Sequence, residues 1–223
     1  MRKLARISCG AVMVWLLASP APAATIGLWE FGFNVNGDIY TSEPIPGFNG
    51  VGFDFSTGLG TFTLTYIAPS AGVFDFIAFV DLEIDETENT FFNEYGAAVG
   101  APVAGQTWEI DEPGWVFGDI YDNFVAGTLD NLNGVPDTAP DDVSMALGWA
   151  LIMNADDIAT LTFSTNTTAP ASGFYLVHTD PDSVASVYFS STATVVPTGV
   201  PEPGTLTLFG LGLLLGARRL RRR

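Results

Sequence analysis

Asp81, Glu83 and Asp85 are the first residues whose types and spacing suggest chemistry, and Glu86 and Glu88 follow close behind. In a β-strand, residues two apart project from the same face, about 6.5 to 7 Å from one another. Carboxylates in such a row repel unless solvent screens them or a cation bridges them. Ca²⁺ takes six to eight oxygen ligands in flexible geometry, so these three acids are the candidate metal ligands, with a solvated strand face as the alternative. No motif in the chain calls for any other cofactor.

Trp108 and Trp115 flank Glu109, Asp111, Glu112 and the Pro113-Gly114 turn. An exposed indole offers a flat apolar face on which a sugar can stack, while a buried one is core. Trp108 and Trp115 are the candidate ligand-stacking residues. His178 ends the apolar run Phe174–His178 and precedes Thr179-Asp180-Pro181-Asp182-Ser183. It is either a base oriented by a carboxylate or a hydrogen-bonded strand residue. A Ser-His-Asp triad needs its nucleophile on a sharp exposed turn, and the chain has no Gly-x-Ser-x-Gly elbow.

The charge distribution is lopsided. All eight Lys and Arg lie at the two ends, namely Arg2, Lys3, Arg6, Arg218, Arg219, Arg221, Arg222 and Arg223. Of 25 acids one is Glu202, which leaves 24 between residues 24 and 200 with His178 as their single basic side chain. Nucleic-acid binding requires cations to replace phosphate counterions, and anionic lipid headgroups require a basic patch, so both are excluded for this segment. Self-repulsion among the acids must be met by hydrogen bonds, helix N-termini, bound cations or a solvated surface. With so many carboxylates, no particular pair identifies a glycosidase site. Cys9 is the only cysteine, and it lies in the segment expected to be removed, so thiol catalysis and cysteine-ligated metals are excluded as well.

The elements that position these residues read as strands. Thr61–Tyr66 alternates threonine with large apolar residues. Phe74, Phe76, Ala78, Val80, Leu82 and Ile84 share one period-two face, and Asp75, Ile77, Phe79, Asp81, Glu83 and Asp85 share the other. Ala159–Ser164, Phe174–His178 and Val187–Phe189 continue the series, separated by turn-rich stretches at Pro44–Gly52, Pro69–Gly72, Asn131–Pro140 and Thr179–Asp182. Asp141-Asp142 before Val143–Leu147 is the place for one short helix. The expected fold is all-β: a single antiparallel β-sandwich, jelly-roll-like, over residues 24–196.

Both ends carry targeting features. Basic residues, the apolar run Ile7–Ala18 and the small residues Ala21 and Ala23 make residues 1–23 a signal peptide, with signal peptidase cleaving after Ala23. Residues 197–204 form a linker. The apolar segment 205–217 would be a short transmembrane helix of roughly 20 Å, against a hydrocarbon core of roughly 30 Å. Residues 218–223, with five arginines, would stay cytoplasmic.

Pro201-Glu202-Pro203, the apolar helix and the arginine cluster, in that order, resemble a PEP-CTERM sorting signal. The resemblance implies an exported protein of a Gram-negative bacterium, held at the inner membrane by its tail until an exosortase processes it. It also points to the surroundings of exopolysaccharide and biofilm matrix. It covers only about residues 200–223 and assigns no activity to the domain. Asn133-Gly134-Val135-Pro136-Asp137 resembles the second half of the calcium loops of thrombospondin type 3 and EF-hand-like repeats. It departs from them at Leu129, where an acid belongs, and lacks their bidentate glutamate, so a plain Asn-Gly turn is the alternative. The expectation is a non-enzymatic structural or adhesive protein of the cell envelope or matrix, partnered by signal peptidase, exosortase and exopolysaccharide, with the membrane reached through the tail only. A calcium-stabilised carbohydrate-binding module and a secreted glycan hydrolase are the alternatives.

Overall fold

A computed structural model of the chain describes residues 24–42, 44–85, 90–114 and 116–198. The signal peptide, the sorting motif, the membrane segment, Glu86, Glu88 and Trp115 lie outside the described residues.

Among the described residues, eleven strands form two antiparallel sheets packed face to face. The first sheet holds β1 (Ile26–Val35), β2 (Asp38–Tyr40), β5 (Gly72–Ile84), β7 (Gln106–Asp111) and β8 (Ser144–Met153), in the order β2-β1-β5-β8-β7. The second holds β3 (Phe48–Asp54), β4 (Leu59–Ile67), β6 (Tyr95–Val99), β9 (Ile158–Asn166), β10 (Tyr175–Asp180) and β11 (Ala185–Val196), in the order β3-β4-β9-β11-β10-β6. The chain changes sheet between β2 and β3, β4 and β5, β5 and β6, β6 and β7, and β8 and β9. The all-β sandwich expected from alternation is therefore the fold.

The inner face of β5 carries Phe74, Phe76, Ala78, Val80, Leu82 and Ile84 into one core cluster, as its period-two pattern requires. Phe33 meets Phe62 and Phe163 edge-on at 5.6 and 5.5 Å between ring centroids, and Phe62 stacks on Phe163 at 5.4 Å, locking the sheets together.

Two sequence expectations fail. Val143–Leu147 is not helical: Val143 leads into β8, the strand between β5 and β7, and Ser144–Leu147 open it. Its inner face enters the core through Met145, Leu147 and Trp149, and Ala146 is buried on the outer face. A strand covered on both sides loses its alternation and cannot be told from a helix by periodicity. Likewise Phe48–Gly52, assigned to a turn, belongs to β3 and pairs with β4 across a register shift between Asn49 and Gly52.

The one α-helix among the described residues is α1, Ile120–Ala126, which ends on Gly127 in the left-handed conformation that favours glycine. Ile120 and Phe124, one turn apart, pack with Leu129 over Ile77, Phe79 and Ala146 on the outer face of the first sheet. A Cβ at Gly32 would lie 2.7 Å from the Phe124 ring, so β1 is bare beneath the helix for steric reasons. Helix α1 thus covers the apolar half of the outer face of β5 and leaves the half bearing Asp81 and Glu83 to other residues. Phe124→Ala should cost about 3–5 kcal/mol of unfolding free energy, measured by denaturant titration. A loss under about 1 kcal/mol, the size of a typical substitution outside a core, would show that the helix is not packed as described.

Candidate functional site

Asp81 and Glu83 project from β5 beside the apolar pair that α1 covers. Asp81 pairs across the ladders with Ser144 on β8 and Glu30 on β1. The β1 ladder shifts register between Leu28 and Glu30, so Trp29 stands in a bulge. A bulge re-aims its side chain; Trp29 is 64% exposed and leans over the acids. The lead-in to β8 supplies Asp141 and Asp142, fixed by the bridge from Asp141 to Glu94. The loop after β7 adds Glu112, Pro113, Val116 and Phe117. It is closed by a hydrogen bond from Gly114 N to Phe117 O at 3.0 Å. Gly118 allows its return, because a Cβ there would lie 2.2 Å from the Glu112 carbonyl oxygen. A single 3-10 turn, Phe91–Asn93, adds Phe91 and Phe92.

Together these residues enclose a cavity of about 450 Å³ with an acidic floor and an aromatic rim. That volume lies within the roughly 300–1,000 Å³ range of small-ligand sites. One carboxylate oxygen from each of Asp81, Glu83 and Asp142 comes within 4.8 Å of the others. Two of the three predicted metal ligands are therefore brought together, on a buried floor rather than an exposed strand face.

Asp85 is not with them. It adopts a positive φ of 54° just past the end of β5, and its Oδ1 accepts from Thr25 N at 2.5 Å and Thr25 Oγ1 at 2.6 Å. Asp142 replaces it. Asp81 is 1% exposed, and its Oδ1 accepts from Ser144 Oγ at 2.9 Å. Asp142 Oδ1 is buried and has no hydrogen-bond partner among the described residues.

Burial, reinforced by the charge of Asp142, pushes Asp81 up to about 8; burial, reinforced by Glu94, pushes Asp142 up to about 6. Burial likewise raises Glu30 and Glu112 above the ordinary carboxylate range.

In a second carboxylate group, Glu109, Asp111 and Asp119, the two less exposed members are held by internal donors. Glu109 accepts from Asn123 Nδ2 at 2.9 Å and Asp130 N at 3.1 Å, and Asp111 accepts from Asp119 N at 2.9 Å. Burial still pushes Glu109 up to about 7.

The other candidates are structural in their surroundings. Trp108 is half-buried and packs against Phe174 at 5.8 Å, so it is not an exposed platform. His178 is fully buried on the inner face of β10, with Nε2 hydrogen-bonded to Glu94 Oε2. Asn133 of the calcium-loop-like stretch accepts from Val135 N at 3.1 Å and donates to Gly96 O at 2.8 Å, which makes it a loop brace. Trp29, Asp142 and Phe117 escape linear reading, because only the bulge, the sheet register and the loop closure bring them to the acids.

Comparison with known proteins bears on the tail. Residues 199–223 match the PEP-CTERM protein-sorting motif. The chain carries an exosortase sorting signal. That signal entails export and a tail held in the membrane during sorting. The match does not extend to the sandwich, and no curated protein and no solved structure matches the chain. Among the described residues no helix is long and apolar enough to cross a membrane, and the expected span at 205–217 lies outside them.

The raised carboxyls fix a pH dependence. Asp81, Glu109 and Asp142 hold protons in the folded state to about 8, 7 and 6, above their ordinary values of 3.8, 4.5 and 3.8. The folded state therefore binds more protons than the unfolded chain. Stability is fully present below the unfolded values and is lost as pH rises through 6 to 8. In EDTA, the melting temperature should fall between pH 5 and pH 8.5, and Asp81→Asn should flatten the upper part of that fall. A melting temperature that rises over this interval would contradict the burial of these acids.

Proposed function

We propose that this chain is an exported protein of the cell envelope or extracellular matrix of a Gram-negative bacterium, with a non-enzymatic structural or adhesive role. Its β-sandwich is delivered by the signal peptide, held by the tail, and released or attached at the surface once exosortase has acted. The observation that carries this reading is the sorting motif at residues 199–223. The 24 carboxylates of residues 24–200, with no Lys or Arg among them, suit a matrix protein that must remain soluble and interact through cations.

A second reading, a calcium-stabilised carbohydrate-binding module acting on exopolysaccharide, is favoured by one feature. The outer face of the first sheet carries a cavity with a carboxylate floor and the exposed aromatic rim of Trp29, Phe92 and Phe117.

Sorting is tested by mass spectrometry of the mature protein from its host. The mature chain should begin near Ala24 and lack the five terminal arginines. Glu202→Ala should leave export intact and make precursor accumulate in the inner membrane. Normal maturation of Glu202→Ala would overturn the assignment of Glu202 to the processing signal.

A further inference from the structure

We propose that the cavity on the first sheet holds a divalent cation, Ca²⁺, on Asp81, Glu83 and Asp142, and that this ion in turn binds vicinal hydroxyls of a neutral sugar lying against Trp29 and Phe117. The inference rests on the second reading above and specifies how that module would hold its ligand.

Acids alone would not carry it, since acidic surfaces are common without ions. Three further observations do. Asp81 is 99% buried and still lines the cavity, and among the described residues the side-chain donor that reaches it is the neutral Ser144 hydroxyl. Asp142 Oδ1 is buried with no partner among the described residues, and one carboxylate oxygen of Asp142 lies in the same cluster as those of Asp81 and Glu83. The domain has no Lys or Arg to neutralise either group. Glu109 and Asp111 of the second acidic group show the contrast, because backbone and amide donors reach them.

The donor set chooses the ion. Carboxylate oxygens without sulfur or available imidazole suit a hard cation, since His178 is engaged with Glu94 and the expected mature chain has no cysteine. Three carboxylates from one strand and one loop give irregular geometry, which Ca²⁺ accepts and Mg²⁺ resists. Three side chains also leave coordination positions unfilled on a six- to eight-coordinate ion. Because these acids line the cavity, those positions face its interior.

The walls and the charge choose the ligand. Trp29, Phe92 and Phe117 are exposed apolar surfaces around a polar floor, an arrangement suited to a molecule with one apolar face and a hydroxyl edge. Glu112 and Asp141 add two more carboxylates to the lining, making five acids. One Ca²⁺ leaves this site net negative, which opposes uronic acids and favours uncharged sugars with adjacent hydroxyls.

The test uses the mature protein purified from its host and freed of metal with EDTA. Isothermal titration with CaCl₂, at ionic strength matched by NaCl, should show a site that Asp142→Asn weakens at least tenfold. Affinity electrophoresis through mannan, galactan, xylan and dextran should retard the wild type on at least one polysaccharide in Ca²⁺ and not in EDTA. Alginate, a polyuronate, should retard it less. Trp29→Ala, a change at an exposed residue, should abolish the retardation and keep the Ca²⁺ affinity within about twofold; it also tests the site if Asp142→Asn does not fold. Retardation that persists in EDTA would overturn the metal bridge and leave the carbohydrate-binding reading standing. No retardation by any neutral polysaccharide would overturn both. Undiminished Ca²⁺ affinity in Asp142→Asn would place the ion elsewhere and overturn the site.

Discussion

Twenty-four carboxylates share the segment from residue 24 to 200 with no lysine or arginine, and every buried acid in the sandwich must be stabilised by something other than a permanent cation. The fold meets this constraint mostly with neutral donors. Asp180 accepts from the backbone N–H groups of Asp182 and Ser183, each at 3.0 Å, in the turn between β10 and β11. Asp157 accepts from Asn154 N at 2.7 Å and Thr198 N at 3.2 Å, tying the start of β9 to the end of the sandwich. Glu109 takes donors from α1 and the following loop. Glu94 pairs with His178, the single imidazole. Hydrogen bonds to a carboxylate favour its charged form, while burial opposes it, and at Asp81, Glu109 and Asp142 burial wins.

The same constraint separates structure from function. Where donors surround an acid, as at Asp180 and Glu109, the acid holds a turn or a helix in place. At the open end of the first sheet the cover consists of aromatic and acidic side chains instead. Asp81 accepts from a hydroxyl and Asp142 Oδ1 has no hydrogen-bond partner among the described residues, so protons or a cation must balance them. Helix α1 is the reason for this division: it protects Ile77 and Phe79 and stops short of the two acids beyond them on the same face. The sorting tail then gives the cavity a setting, since the motif at residues 199–223 entails export.

The sequence made the sandwich readable because alternation on β4, β5 and β9 is clean, and it made the tail readable because a sorting signal is a linear pattern. It concealed β8, whose two buried faces erase the alternation. Two of the three acids at the cavity floor were legible: Asp81 and Glu83 follow from strand geometry alone. Asp85 obeys the same spacing, yet the strand ends before it, and its positive φ turns the carboxylate to Thr25. Asp142 takes part only because β8 lies next to β5, a long-range pairing that no local pattern encodes. Trp29 was invisible as a ligand platform because its exposure comes from a bulge. Trp108 has a similar local context and is half-buried against Phe174.

The central claim is that a cation bridges the carboxylates at the cavity floor, and its most direct measurement is anomalous X-ray scattering from crystals of the mature protein grown with Ca²⁺ and soaked in Tb³⁺. The account predicts a strong anomalous peak within coordination distance of Asp81, Glu83 and Asp142, displaced when excess Ca²⁺ is returned. A peak confined to other acids, or none at this floor, would contradict it.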